Sequence, residues 1–333
     1  GQNYFSPAVT SKYRFFLARI YSSGYLPVHD PETPETLLRL TAKEKAAPYY
    51  SVLSSVILGD SVNPGDFYIW DIPEKAGRGI PLLEADTPPS MLPTIASGYL
   101  KYSLPLKAYE EALGAVRDYE AEILIKISEQ CYSRGHYYES LRLITRGVNA
   151  GVVKPGVKDL SLLYPSAFSE EISMAAEKEG LPVYLFTALV REESFFSPTI
   201  VSRVGAVGLC QLMPGTARDV AVKLRRSSYS MEDVSDNLAF GAYYLADQIK
   251  RFGGVIPGLW AYNAGPSRAR DWLRQWEGFD PYLMPEIVPF TETRNYVKKI
   301  FLSGLYFEFL YAPSDNREGP ESIINLFFPG ESP

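Results

Sequence analysis

Ala188-Leu-Val-Arg-Glu-Glu-Ser-Phe-Phe-Ser-Pro198 and, shortly after it, Gly205-Ala-Val-Gly-Leu-Cys-Gln-Leu-Met-Pro-Gly-Thr-Ala217 are the stretches from which this chain is best read. Projected on a helix at about 100° per residue with Val183 at zero, Val183, Leu185, Phe186, Leu189 and Val190 fall in one apolar arc. The arc is centred near roughly 280°, and Glu193 falls at about 280°, in its middle. Glu192 lies about 100° away, at the edge. An ionised carboxylate aimed into an apolar face is costly, so such a group tends to hold its proton. That is the setting of a general acid. On geometry alone, a helix-end Glu turned to solvent is the other reading.

Working outward, Gly205 and Gly208 permit tight turns or close backbone approach, and Gln211 follows them. Three further blocks stand downstream: Asn237-Leu-Ala-Phe-Gly241 with Tyr244-Leu245, Ala261-Tyr-Asn-Ala-Gly265 and Glu292-Thr-Arg-Asn-Tyr-Val297. Tyr296 lies four residues after Glu292, hence on one face if that segment is helical. Taken in order with Glu193-Ser194 and Ser202–Ala217, these blocks resemble the soluble lytic transglycosylases, relatives of goose-type lysozyme that cut bacterial peptidoglycan. The resemblance is firm from Glu193 to Val297. It is weaker upstream, at Tyr49-Tyr-Ser-Val-Leu and Arg134–Leu143. One departure is Cys210, where the family usually has Met; both are apolar sulfur side chains, so a packing change is expected there.

The resemblance implies a mostly α chain, with a helical N-terminal domain followed by a lysozyme-like catalytic domain that carries a minor β component. It implies cleavage between N-acetylmuramic acid and N-acetylglucosamine in peptidoglycan glycan strands. Glu193 would protonate the glycosidic oxygen, then take the proton of the muramic 6-hydroxyl as a 1,6-anhydro ring closes. A free Glu near pKa 4.3 is protonated only about once in 500 at pH 7, so burial has to raise it by about two units. Ser202, Gln211, Met213, Tyr262, Asn263, Glu292 and Tyr296 carry over as substrate-binding residues. Each also has a structural reading: Ser202 and Gln211 as turn groups, Met213 as core, Asn263 as a helix cap, and Tyr262, Glu292 and Tyr296 as parts of a packed helix pair. A hydrolytic muramidase of the same fold and a non-catalytic glycan-binding or scaffold protein are the alternatives. The substrate places the protein in the bacterial cell envelope, in the periplasm.

Composition narrows the field further. The chain has 333 residues, 46% hydrophobic and 22% charged, a length that suggests about two domains. A net charge of -6 argues against a nucleic-acid partner. No apolar run is long enough for a transmembrane segment, and the opening Gly-Gln-Asn-Tyr-Phe is not a signal peptide; an exported protein of this sequence would be a trimmed form. Two histidines, His29 and His136, without clustered acidic partners make no zinc site, and no Walker-type loop is present. The reading calls for no metal and no cofactor, and names no protein partner. Gly59-Asp60-Ser61 imitates the start of a serine esterase, but neither histidine stands where that chemistry needs a base. Cys131 and Cys210 are expected to be separate buried thiols.

Organisation follows from breakers and periodicity. Helices are predicted at Ser11–Tyr21, Pro34–Leu40 and Pro48–Leu58, then at Thr94–Tyr102, Leu106–Tyr119, Ala121–Ser133 and Tyr137–Asn149. Between the two groups, residues 61–93 form a long Pro/Gly-rich excursion. The loop from Gly151 to Pro165 is the expected boundary, giving domains 1–163 and 164–333. No later segment shows sustained two-residue alternation, so few strands are expected.

Overall fold

The structure is a computed structural model that describes residues 6–27, 33–62, 92–156, 159–313 and 321–329. Most of the excursion at 61–93 (residues 63–91) and His29 lie outside the described residues. The chain is mostly helical. First come α1 (Pro7–Ser22), α2 (Thr33–Ala42) and α3 (Pro48–Ile57), then α4 (Leu92–Lys101), α5 (Pro105–Gly114), α6 (Ala121–Tyr132) and α7 (Tyr137–Asn149). After the single turn α8 (Leu160–Leu163) follow α9 (Ser169–Lys178), α10 (Val183–Ser194), α11 (Pro214–Lys223), α12 (Val234–Phe252) and α13 (Val255–Ala264). The last are α14 (Pro266–Gln275), α15 (Met284–Ile287), α16 (Thr291–Tyr311) and α17 (Glu321–Phe327). Among the described residues, β pairing is limited to two isolated bridges, Val201 to Val207 and Val207 to Leu212.

Local chemistry explains where the helices begin and end. α1 starts a turn earlier than predicted because Ser6 accepts from the Val9 N–H at 3.4 Å and Pro7 occupies the first turn, where its missing donor costs little. The helix predicted over Leu106–Tyr119 is cut at Gly114, a poor helix former, and a 3-10 turn at Val116–Asp118 follows. The predicted loop 151–165 contains α8, whose Leu160, Leu162 and Leu163 are buried. α12 is capped by Asp233, which accepts from the Asp236 N–H at 2.9 Å, and it stops at Gly253 in the left-handed region.

The core of the C-terminal half is built around α13, where every residue from Val255 to Ala261 is buried. α12, α14 and α16 pack on α13, and α10 packs between α9 and α16. Phe186, Phe240, Trp260, Phe301 and Phe307 fill the space between them. Upstream, α4 pairs with α5 and α6 with α7, and the two hairpins stack through α5 and α6. α1 and α3 reach the far end of the chain. Tyr49 on α3 meets Phe301 on α16 edge to face at 5.6 Å, and Arg19 on α1 binds Asp280 at 2.8 Å. Buried side chains from both halves therefore join in one connected cluster. Both cysteines are free and buried, and no described helix is long and apolar enough to cross a membrane.

Candidate active site

Glu193 sits in the last turn of α10 because the chain leaves the helix immediately after it. Phe195 and Phe196 both adopt left-handed backbone conformations, at φ +52° and +60°. Two consecutive non-glycine residues there are costly, and such strain is held only where the surroundings over-determine it. Here Phe196 is fully buried, edge-on to Phe307 of α16. Ser194 turns back to the Val190 carbonyl at 3.1 Å. The end of the helix is thus pinned by packing on one side and its own backbone on the other.

Residues 200–213 form a compact loop beside it. Gly208 has φ +79°, and a Cβ there would run into the Asn237 amide and the Met231 carbonyl, so both conformation and space require glycine. Asn237, buried in the first turn of α12, ties the loop down. It accepts from the Cys210 N–H at 2.8 Å and donates to the carbonyls of Val207 at 3.1 Å and Met231 at 2.7 Å. Gln211, at φ +46°, spends its amide protons on the carbonyls of Ile200 and Gly208. Ser202 Oγ accepts from the Ala206 N–H at 2.9 Å. Cys210 is fully buried against Gly241 of α12, where a Cβ would collide with its sulfur.

α13 and α16 complete the constellation. Tyr262 donates to the Cys210 carbonyl at 2.8 Å, and Thr293 donates to Asn263 Oδ1 at 2.7 Å, joining the end of α13 to the start of α16. Tyr296, buried on α16, donates its hydroxyl to Glu193 Oε1 at 2.5 Å. Burial raises the Glu193 carboxyl from about 4.5 to about 7; the Tyr296 bond opposes the rise, and the charges of Glu192 and Glu292 add to it. Such a group is about half protonated at neutral pH and can both give and accept a proton. Burial and the neighbouring Glu193 hold the Tyr296 phenol well above its usual range, which keeps it a donor.

The predicted residues separate into two sets. Glu193, Tyr296, Tyr262 and Cys210 meet at one place, joined by hydrogen bonds or by mutual electrostatic influence. Glu292 stands exposed in the first turn of α16 and acts on Glu193 through its charge. Met213 is 43% exposed at the start of α11, and Asn263 is tied to Thr293. The polar side chains of Ser202 and Gln211 serve the loop itself. Sequence reasoning missed Asn237 as the residue that organises the loop. Its place in the first turn of α12, one residue before the buried Leu238, was the available signal.

Three comparisons with known proteins bear on this arrangement. Residues 170–284 match the transglycosylase SLT domain. Over this part of its length the chain is similar to the lytic transglycosylases. It is 34% identical over 152 residues to the soluble lytic murein transglycosylase of Escherichia coli K12, covering 44% of this chain and 24% of that protein. It is 28% identical over 204 residues to a putative soluble lytic murein transglycosylase of Haemophilus influenzae, covering 59% of this chain and 32% of that protein. The lytic transglycosylase Slt of Pseudomonas aeruginosa, solved as an inactive mutant, superposes with a TM-score of 0.69 at 26% identity, over 92% of this chain and 47% of that one. The 70 kDa soluble lytic transglycosylase of Escherichia coli shares the fold with a TM-score of 0.67 at 22% identity, over 90% of this chain and 46% of that one. The chain thus spans about a quarter of the Escherichia coli curated relative and just under half of the solved chains. Tyr296 and Glu292 fall beyond the matched SLT segment, on α16.

Proposed function

We propose that the protein is a peptidoglycan lytic transglycosylase of the bacterial cell envelope, acting in the periplasm, with Glu193 as its single acid and base. Glu193 gives its proton to the oxygen linking N-acetylmuramic acid to N-acetylglucosamine, and the bond from that oxygen to muramic C1 breaks. The muramic 6-hydroxyl then bonds to C1, its proton returns to Glu193, and no water is consumed. Tyr296 orients the carboxyl through both steps. Gln211 keeps its amide oxygen for a substrate N–H or hydroxyl, and Ser202, Met213, Tyr262, Asn263 and Glu292 shape the surface that receives the sugar. Residues 164–333 form the catalytic domain, and residues 1–163 a helical domain that supports it.

The observation that carries this reading is the Glu193 carboxyl, largely enclosed, bonded to Tyr296 and raised to about 7. A hydrolytic route would need a second carboxylate to activate water. Glu192 is committed to Arg191 and Ser303, and Glu292 lies at the exposed start of α16, which favours the one-carboxylate route. The test is mass spectrometry of the muropeptides released from purified peptidoglycan by the wild type and by Glu193→Gln. Anhydro-muramic ends from the wild type alone are expected, with turnover reduced by about 10³-fold in the variant. Reducing ends from the wild type, or undiminished turnover by Glu193→Gln, would overturn the proposal.

A further inference from the structure

The proposed chemistry leaves two buried charges beside the acid unused, Arg191 and Glu192. The Glu192 side chain is 8% exposed and pairs with Arg191 Nη1. Ser303, buried on α16, accepts from Arg191 Nη1 at 3.3 Å and donates to Glu192 Oε1 at 2.7 Å. Arg191 also donates from Nε to the Leu163 carbonyl at 2.8 Å, and its guanidinium lies 4.5 Å from the Tyr164 ring centre and 5.7 Å from that of Phe195. α10 and α16 are thus fastened twice, at Tyr296 to Glu193 and two turns further along α16 at Ser303 to Glu192. Stability alone is a weak reason for such a group, because apolar residues of similar volume often replace a buried ion pair without loss. Its place next to the acid is the stronger one.

We propose that Glu192, clasped by Arg191 and Ser303, is a positioning residue for the reaction, fixing the end of α10 against α16 so that Glu193 meets Tyr296. Its fixed negative charge acts as well, favouring the protonated form of the neighbouring acid. The ionisable groups around Glu193 are Glu192 and Arg191 on its own helix, Glu292 and Tyr296 on α16, Tyr262 on α13 and Cys210 in the loop. Among them Glu192 is the carboxylate held in one place by two partners. The inference rests on Glu193 being the acid.

Glu192→Gln retains the shape and hydrogen-bonding capacity of the side chain but removes its charge, leaving Arg191 uncompensated. The basic limb of its kcat/KM profile on purified peptidoglycan is expected about one pH unit below that of the wild type. Ser303→Ala keeps both charges but releases Glu192, and is expected to lower kcat several-fold with KM unchanged. A limb that stays in place in Glu192→Gln overturns the electrostatic role, since a purely structural residue would not move it. Wild-type kcat in Ser303→Ala overturns the positioning role. Should Glu192→Gln fail to fold, Ser303→Ala alone decides. Glu193→Gln is assayed alongside: if it is active, the parent reading falls; if it is inactive while both other variants behave as wild type, only the present inference falls.

Discussion

Glu193 and Glu286 are both largely enclosed glutamates bonded to side chains of α16, and the protein treats them in opposite ways. Glu286, on α15, receives Lys298 at 2.6 Å, Lys12 at 2.8 Å and the Tyr50 hydroxyl at 2.5 Å. Burial pushes its carboxyl upward, but the Lys298 charge and the donated bonds outweigh it, so it lies below its usual value. Lys298 is drawn down by its own burial against the pull of Glu286; the two short bonds to lysines are what establish the pairing. Around Glu193 burial is the same kind of force, yet one neutral donor opposes it, and the guanidinium nearest in sequence is committed to Glu192. Burial thus makes an acid only where cations are absent or already engaged. With cations supplied it makes a structural clamp instead, here one that fastens α1 and α3 to α15 and α16.

The largest test of this contrast is catalytic. Activity should fall as pH rises through about 7, where Glu193 loses its proton, and Glu193→Gln should lose about 10³-fold in kcat below that pH, with the gap narrowing above it. Removing the other carboxylate should act on stability rather than chemistry. Glu286→Ala leaves Lys298 largely buried without its counter-charge and should cost about 3 kcal/mol in urea unfolding at pH 7. In the wild type the Glu286 contribution is present above the ordinary value near 4.5 and is lost as pH falls through its lower folded value. A flat stability difference between wild type and variant across acid pH would contradict the pairing.

Glu193 carries the opposite sign. Its folded value is raised, so the folded state holds a proton that the unfolded chain has already released between about 4.5 and 7, and stability declines over that window as pH rises. Glu193→Gln should therefore unfold later than wild type at pH 8, by roughly 3 kcal/mol, and the gain should vanish towards pH 4.5 in thermal melts. The smallest expected effect concerns Tyr296. Tyr296→Phe removes the bond that holds Glu193 down, so the basic limb of kcat/KM should move to higher pH while kcat drops by about tenfold. A limb moving downward would mean that Tyr296 stabilises the protonated form instead.

Much of the fold was legible because helix boundaries depend on near neighbours. Pro34 and Pro48, in the first turns of α2 and α3, marked where those helices start, whereas the start of α1 was read a turn late. The projection that put Glu193 in the apolar arc needed only the 3.6-residue period. The same projection misjudged Glu192, set at the edge of the arc yet buried, because α10 packs against both α9 and α16 and has little solvent face left. The clamp was not legible at all. Lys12 and Glu286 stand 274 positions apart, and nothing in either neighbourhood signals the other.

The sequence by itself determined that a carboxylate ends an apolar helix, that glycines fold a tight loop beside it, and that Tyr296 recurs one turn after Glu292. These follow from periodicity and from the steric limits of single residues. Only the tertiary structure decided which glutamate keeps its proton and which gives it up. A carboxyl's pKa sums burial, charges and hydrogen bonds over atoms within a few ångströms, and packing brings those atoms from helices remote in the chain.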